Sequence, residues 1–245
     1  MQTIALTNMK GGTGKTTTCA ALAHAAAIKG KRVLCVDADP QANFTYCMGA
    51  DATGAGALEL LNGEDPAGII QKLTDSIDMI PANWNLAAFA SGTGSALKLQ
   101  KALEPIKKNA GYDYIFIDCP PTAGTLMFNA MQAASGIIIP LLADGYNVQS
   151  LYQTAATAEQ IRKTNKSLKI LGIVFTQFDQ RSTIAKQMRQ MIGEAAASLH
   201  IPVLAEIRAA VCVKEAAALQ KSLFDYAGRS KPSEDYMYLF DQINR

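Results

Sequence analysis

Short continuous apolar runs recur along the chain, and the stretches between them carry apolar residues at helical spacing. Uninterrupted runs mark strands buried on both faces, as in a parallel sheet, whereas half-exposed strands alternate residue by residue. They predict strands at 3–7, 31–36, 77–81, 112–117, 136–141, 170–176 and 203–207. The intervening stretches predict helices at 16–29, 54–62, 66–73, 96–108, 125–134, 148–165, 184–199 and near 213–219, with a last one from Ser233. Strand and helix alternating in this way imply an α/β fold: one doubly wound, mostly parallel sheet with helices on both faces. No repeat, low-complexity tract or linker breaks the pattern, so residues 1–245 read as a single domain.

Composition narrows the class. At 245 residues and 49% hydrophobic the chain can bury a sizeable core. Its apolar runs are far too short to span a bilayer, and the N-terminus enters a strand directly, so a cytoplasmic protein is expected. The five cysteines, Cys19, Cys35, Cys47, Cys119 and Cys212, show neither disulfide nor zinc spacing. His24 and His200 read as structural or surface residues. Charge is divided unevenly: residues 1–161 carry 10 basic and 13 acidic side chains, residues 162–245 carry 13 and 8.

The first loop holds the chemistry. Met9-Lys10-Gly11-Gly12-Thr13-Gly14-Lys15-Thr16-Thr17 lies between a strand and a helix. The general phosphate-loop pattern asks for glycine where Met9 stands, which leaves the variant K-G-G-x-G-K-[ST]-[ST]. Glycines let the backbone approach a polyphosphate and turn its N–H groups inward, and the following helix adds its positive end. Residues 10–17 are thus the candidate nucleotide-binding set. Lys15 supplies charge to the β- and γ-phosphates, and the Thr16 hydroxyl is a candidate Mg²⁺ ligand.

Three acids fall at the carboxyl ends of predicted strands, where open α/β sheets bind ligands. Asp118 follows a buried apolar run and is the candidate metal-holding carboxylate. With no glutamate after it, Asp39 is the candidate to orient an attacking water; a helix cap before Pro40 is the plainer alternative. Asp37 is a candidate support of the metal shell.

Residues 10–17, Val36-Asp37-Ala38-Asp39-Pro40-Gln41, the segment 112–121 and the segment 171–181 together resemble the ParA/Soj family of partition ATPases, related to MinD. The likeness runs from about residue 2 to the C-terminus and is of the small type, without an N-terminal operator-binding domain. It implies ATP and Mg²⁺ as cofactors and slow hydrolysis. Lys10 would reach across a homodimer to the partner's nucleotide, somewhat like an arginine finger in trans. It implies that the ATP dimer binds double-stranded DNA without sequence preference and so associates with the nucleoid, while a ParB-like centromere-binding partner stimulates turnover. Arg181 matches a basic family position, and Lys186, Arg189, Lys214 and Lys221 could extend a DNA-facing stripe; an ordinary solvated face is the alternative.

The chain departs from the family at Arg208, in place of a proline near the base, and at Cys212, a commonly basic position. Asp144 and Gln149 replace frequent glutamates. A MinD-like or other positioning ATPase for a protein cargo or division site is the neighbouring reading. The acidic tail 233–245 does not resemble a basic membrane-binding helix. An iron-protein reductase would need a cysteine pair that the spacing does not supply.

Overall fold

In the computed structural model, which describes residues 1–90, 95–109 and 111–244, the apolar runs form one eight-stranded sheet. In chain order the elements are β1 (Gln2–Leu6), α1 (Lys15–Ile28), β2 (Val33–Asp37), α2 (Asn43–Cys47), α3 (Ala57–Asn62), β3 (Gln71–Lys72), β4 (Ile77–Ile80), α4 (Leu86–Ala90) and α5 (Lys98–Asn109). They continue with β5 (Tyr114–Asp118), α6 (Thr125–Ala133), β6 (Gly136–Leu141), α7 (Asn147–Arg162), β7 (Lys169–Phe178) and α8 (Thr183–Ser198). The chain closes with β8 (Val203–Arg208), α9 (Val211–Ala218), α10 (Leu223–Ala227) and α11 (Lys231–Gln242). Strand order is β3-β4-β2-β5-β1-β6-β7-β8, parallel throughout except for the β3–β4 pair.

Side chains of successive strand residues enter different cores, as the two-residue period demands. Ala5, Leu34, Val36, Ile115 and Ile117 pack on one face with α3, α5, α6 and α7. Ile4, Leu6, Val33, Cys35 and Phe116 pack on the other with α1 and α11. β1 lies between β5 and β6, so the chain departs from it in both directions and opens a crevice at its carboxyl end. Register sets Leu6 beside Asp118, and Asp118 beside Asp37.

Several boundaries differ from the sequence reading. The segment 66–73 is not a helix: Pro66–Gly68 makes one 3₁₀ turn capped by Asp65, and Gln71 and Lys72 then pair with β4. Gly68 and the β-branched pair Ile69-Ile70 stop the turn from propagating. The short helices α2, α4 and α10 are too brief to show a period. The last helix begins at Lys231, where Ser230 caps it and Pro232 opens it, and Arg245 lies outside the described residues. Among the described residues no helix is long and apolar enough to cross a membrane.

α7 ends at Arg162 instead of Asn165, because Asn165 has another task. Its buried amide donates to the carbonyls of Met131, Gln132 and Ala134 at 3.2, 3.1 and 2.8 Å, closing the C-terminal end of α6. Its Oδ1 accepts from the Ser167 amide and hydroxyl. Asn165→Ala is therefore expected to cost about 2 kcal/mol by stranding buried carbonyls. That corresponds to a fall of about 4–8 °C in Tm by calorimetry; an unchanged Tm would show that Asn165 is not the cap.

Candidate functional site

The phosphate loop is held by three side chains, against β6 and β7. Asn8, fully buried, donates through Nδ2 to the Pro140 carbonyl on β6 at 2.7 Å and accepts the Lys10 amide at 3.0 Å. Thr176 on β7 donates to the Thr13 carbonyl at 2.8 Å, and Gln177 donates to the Gly12 carbonyl at 3.3 Å. Gly12 and Gly14 have φ of 73° and 81°, the left-handed region that glycine adopts without strain. A Cβ on Gly14 would also press on Thr176 at 3.3 Å. α1 starts immediately afterwards at Lys15, with no side-chain cap and no acid in its first turn. Its first amides and its dipole are left to an anion.

Beneath the loop Thr16 Oγ1 donates to Asp118 Oδ2 at 2.6 Å. Asp118 is fully buried and its Oδ1 has no hydrogen-bond partner. Burial, with Asp37 close by, pushes this carboxyl well above the ordinary carboxylate range, while the Thr16 bond and the Lys15 charge oppose the shift. Lys15 is itself lowered by burial, against the pull of Asp118. A divalent cation would supply an opposing charge here. An orphaned carboxylate oxygen and a hydroxyl side by side fit Mg²⁺, which takes one or two protein ligands and completes its shell with phosphate and water. Among the described residues no cluster of three or more His, Cys, Asp or Glu side chains could hold a metal alone.

Thr13, Lys15, Thr16 and Asp39 line one cavity of about 490 Å³, which continues along α1 to His24. Asp39 is 8% exposed and accepts the Gln41 amide at 3.0 Å. Asp37 is brought close but is otherwise engaged. Its Oδ1 accepts from Asp39 N and its Oδ2 from both the amide and the hydroxyl of Thr45, so the metal-shell role expected of it meets a carboxylate already occupied. Burial pushes its pKa up to about 6, against the pull of the Thr45 and Asp39 amides. An apolar slot of about 340 Å³ adjoins Gly14 and Thr17 between β8, α9 and Tyr236. Arg208 borders it and is forked onto Asp235, its N and Nε both donating to Oδ2 at 2.9 and 2.8 Å.

The two loop lysines are both spent within the chain. Lys15 Nζ donates to the Lys10 carbonyl at 3.1 Å. Lys10 Nζ lies 2.9 and 2.7 Å from the two oxygens of Asp144 and 5.3 Å from the centre of the Tyr146 ring. Burial alone would raise the Asp144 carboxyl, but hydrogen bonds from Lys10 and Asn147 hold it below its usual value. Thus the residue expected to reach a partner subunit is paired in this chain with its own Asp144.

The proposed DNA residues form two groups. Lys186 and Arg189 on α8 share a shallow groove with Phe178, Gln180 and Glu206, and Arg181 beside it has a side chain 95% exposed. Arg189 is bonded to Glu206 at 2.6 Å, which removes much of its free charge. Lys214 and Lys221 instead border the cavity and slot around α9. Sequence reasoning gave no role to Asn8, Thr45, Thr176 or Gln177; Asn8 adjoins the phosphate loop, and Thr176 and Gln177 lie within the segment 171–181, so Thr45 alone had no motif to flag it.

Comparison with known proteins shows what the chain is similar to as a whole. Residues 1–170 match the family model described as AAA domain. The chain is 33% identical to the chromosome partitioning protein ParA of Caulobacter vibrioides, covering 99% of this chain and 94% of that one. It is 35% identical to the chromosome-partitioning ATPase Soj of Thermus thermophilus, covering 98% and 94%. Among solved structures, a cobyrinic acid a,c-diamide synthase from Mycobacterium smegmatis, with bound ATP analogue and magnesium, superposes at TM-score 0.82 with 29% identity over 98% of this chain and 93% of that one. A McdA–ATP complex from Cyanothece superposes at 0.84 with 25% identity over 100% and 95%. MinD from Pyrococcus horikoshii, at 0.81 and 23% over 100% and 96%, shares the fold. Relatives a third identical and matched nearly end to end settle the assignment, and the chain belongs to the ParA/Soj family of partition ATPases.

Proposed function

We propose that this protein is an Mg²⁺-dependent ATPase of DNA partition, which closes as a homodimer on ATP and binds double-stranded DNA non-specifically in that state. A ParB-like centromere-binding partner stimulates its hydrolysis. One observation carries the reading: Thr16 donates to a buried Asp118 whose other oxygen is unpartnered, directly below a glycine loop that opens α1.

The loop amides from Gly11 to Lys15 bind the phosphates, and Lys15 exchanges the Lys10 carbonyl for phosphate oxygens. Thr16 and Asp118 would hold the metal ion, whose charge would offset that of the phosphates. Asp39 accepts a hydrogen bond from the attacking water and orients it toward the γ-phosphate. The slot beside Gly14 receives the nucleoside, with apolar walls from Ile207, Val211 and Val213. Lys10 serves the partner's nucleotide after release from Asp144, which ties dimerisation to the breaking of that pair. A positioning ATPase for a protein cargo or division site is the second reading. The pairing of Arg189 with Glu206, which leaves the α8 face less basic than its sequence, favours it.

With Mg²⁺ and a slowly hydrolysed ATP analogue, light scattering is expected to show a dimer of the wild-type chain, and Lys10→Ala is expected to remain monomeric. Asp144→Asn, which frees Lys10, is expected to dimerise at lower nucleotide concentration. Asp39→Ala is expected to dimerise on ATP itself and turn it over at least about a hundredfold more slowly. A Lys10→Ala protein that dimerises normally contradicts the trans role, and wild-type turnover in Asp39→Ala contradicts the water-orienting role.

DNA binding is expected only with ATP, equally on unrelated duplexes. Its log affinity should fall with log salt at a slope of about −0.9 per phosphate contacted. Arg181→Glu, or Lys214→Glu with Lys221→Glu, is expected to weaken it uniformly in gel-shift titrations at two salt concentrations. Equal, negligible binding with ATP, ADP and no nucleotide would reject DNA as the track and favour the second reading.

A further inference from the structure

The turn that carries Asp39 has few means of holding itself. Ala42 closes it in the left-handed region, φ 53° and ψ 30°, a conformation a non-glycine residue keeps only when its surroundings enforce it. α2 follows at once. Its cap position is Ala42, which has no side-chain oxygen to satisfy the first amides of the helix. Within the turn the Ala42 amide meets the Asp39 carbonyl at 2.9 Å and the Gln41 amide meets the Asp39 side chain. Both bonds stiffen the turn without fixing where it points.

Asp37 supplies that anchor. It ends β2, is fully buried, and is tied by register to Asp118 on β5. Its Oδ1 accepts Asp39 N at 3.0 Å. Its Oδ2 accepts the Thr45 amide and the Thr45 hydroxyl, each at 2.8 Å. Thr45 is the third residue of α2, so a carboxylate from the sheet caps this helix in place of the missing Ala42 oxygen. The Thr45 hydroxyl in turn accepts the Ala82 amide at 2.9 Å, which ties the segment after β4 to the same point. Both ends of the turn, Asp39 and Thr45, thus hang on one buried carboxylate.

We propose that Asp37 is a positioning residue for hydrolysis, holding Asp39 toward the phosphates through Asp39 N and Thr45, and is not a ligand of the metal. The assignment rests on the reading of Asp39 as the water-orienting acid. Asn at position 37 keeps the shape but offers one acceptor oxygen where three donors converge on two. Valine at position 45 keeps the shape and the amide donor but loses the hydroxyl, which is both a donor to Asp37 and the acceptor for Ala82, whereas serine keeps it.

The test is steady-state ATP hydrolysis by Asp37→Asn, Thr45→Val and Thr45→Ser over a range of Mg²⁺ concentrations, with amide hydrogen exchange at Asp39 followed in the same nucleotide-free proteins. Thr45→Val is expected to lower kcat about tenfold or more by letting Asp39 drift. Its KM and Mg²⁺ half-saturation should stay within about twofold of wild type. Thr45→Ser is expected to restore kcat, and Asp37→Asn to follow Thr45→Val while exposing the Asp39 amide to exchange. Wild-type kcat in Thr45→Val overturns the proposal, and does so even if Asp37→Asn fails to fold. A raised Mg²⁺ requirement in Asp37→Asn, with kcat intact at saturating metal, overturns it in favour of a metal ligand. A wild-type rate in Asp39→Ala, or no turnover in the wild-type chain, removes the underlying reading instead. Exchange then decides alone, and unchanged Asp39 protection in both Asp37→Asn and Thr45→Val overturns the anchoring role.

Discussion

A buried carboxylate with half of its hydrogen bonding missing governs this structure. Asp118 ends β5 in the middle of the sheet, fully enclosed, and one hydroxyl donor from Thr16 meets it. Placing an ion in such surroundings costs several kcal/mol unless charge and hydrogen bonds compensate. The Lys15 charge opposes the rise that burial imposes on the Asp118 carboxyl but does not cancel it, and Lys15 donates its hydrogen bond to the Lys10 carbonyl. A cation and a polyphosphate would supply what the chain alone leaves open. The sheet accepts a costly group at the end of β5, and the loop above is shaped to redeem it with ligand.

The surrounding architecture serves that one position. β1 and β5 pair in register so that the loop leaving Leu6 starts beside Asp118. Asn8 ties the loop to β6, and Thr176 and Gln177 hold it from β7 through its carbonyls. Both lysines have partners inside the chain, Lys15 on a backbone carbonyl and Lys10 on Asp144. An ammonium group on a flexible stem can exchange one acceptor for another, and the two lysines differ in what they would leave: Lys15 one carbonyl, Lys10 both oxygens of a carboxylate.

How much of this could be read in advance depended on chain distance. The phosphate loop, Asp39 and Asp118 stood out because glycine spacing and apolar runs are local signals, and strand ends are where the fold gathers ligands. Seven long-run strands were legible for the same reason; β3, two residues long, was not. Thr45 was invisible, since a threonine acquires its role through what the fold sets opposite it. Asp37 reads as a third acid of the metal shell, and nothing in Asp-Ala-Asp-Pro-Gln shows that Thr45 turns back upon it. Arg208 departs from the family pattern, and the structure supplies the compensation in Asp235 on α11, 27 residues along the chain. The basic C-terminal third overstated the free charge of its surface, because Arg189 and Arg208 are both paired.

The most direct test of the Asp118 site is the affinity for ATP with and without Mg²⁺, measured by titration calorimetry on the wild-type chain and on Asp118→Asn. Mg²⁺ is predicted to tighten ATP binding to the wild type by about tenfold or more and to do little for Asp118→Asn, where the metal loses its carboxylate. Equal tightening in the two proteins would contradict the account, since the orphaned oxygen of Asp118 would then not be the seat of the metal.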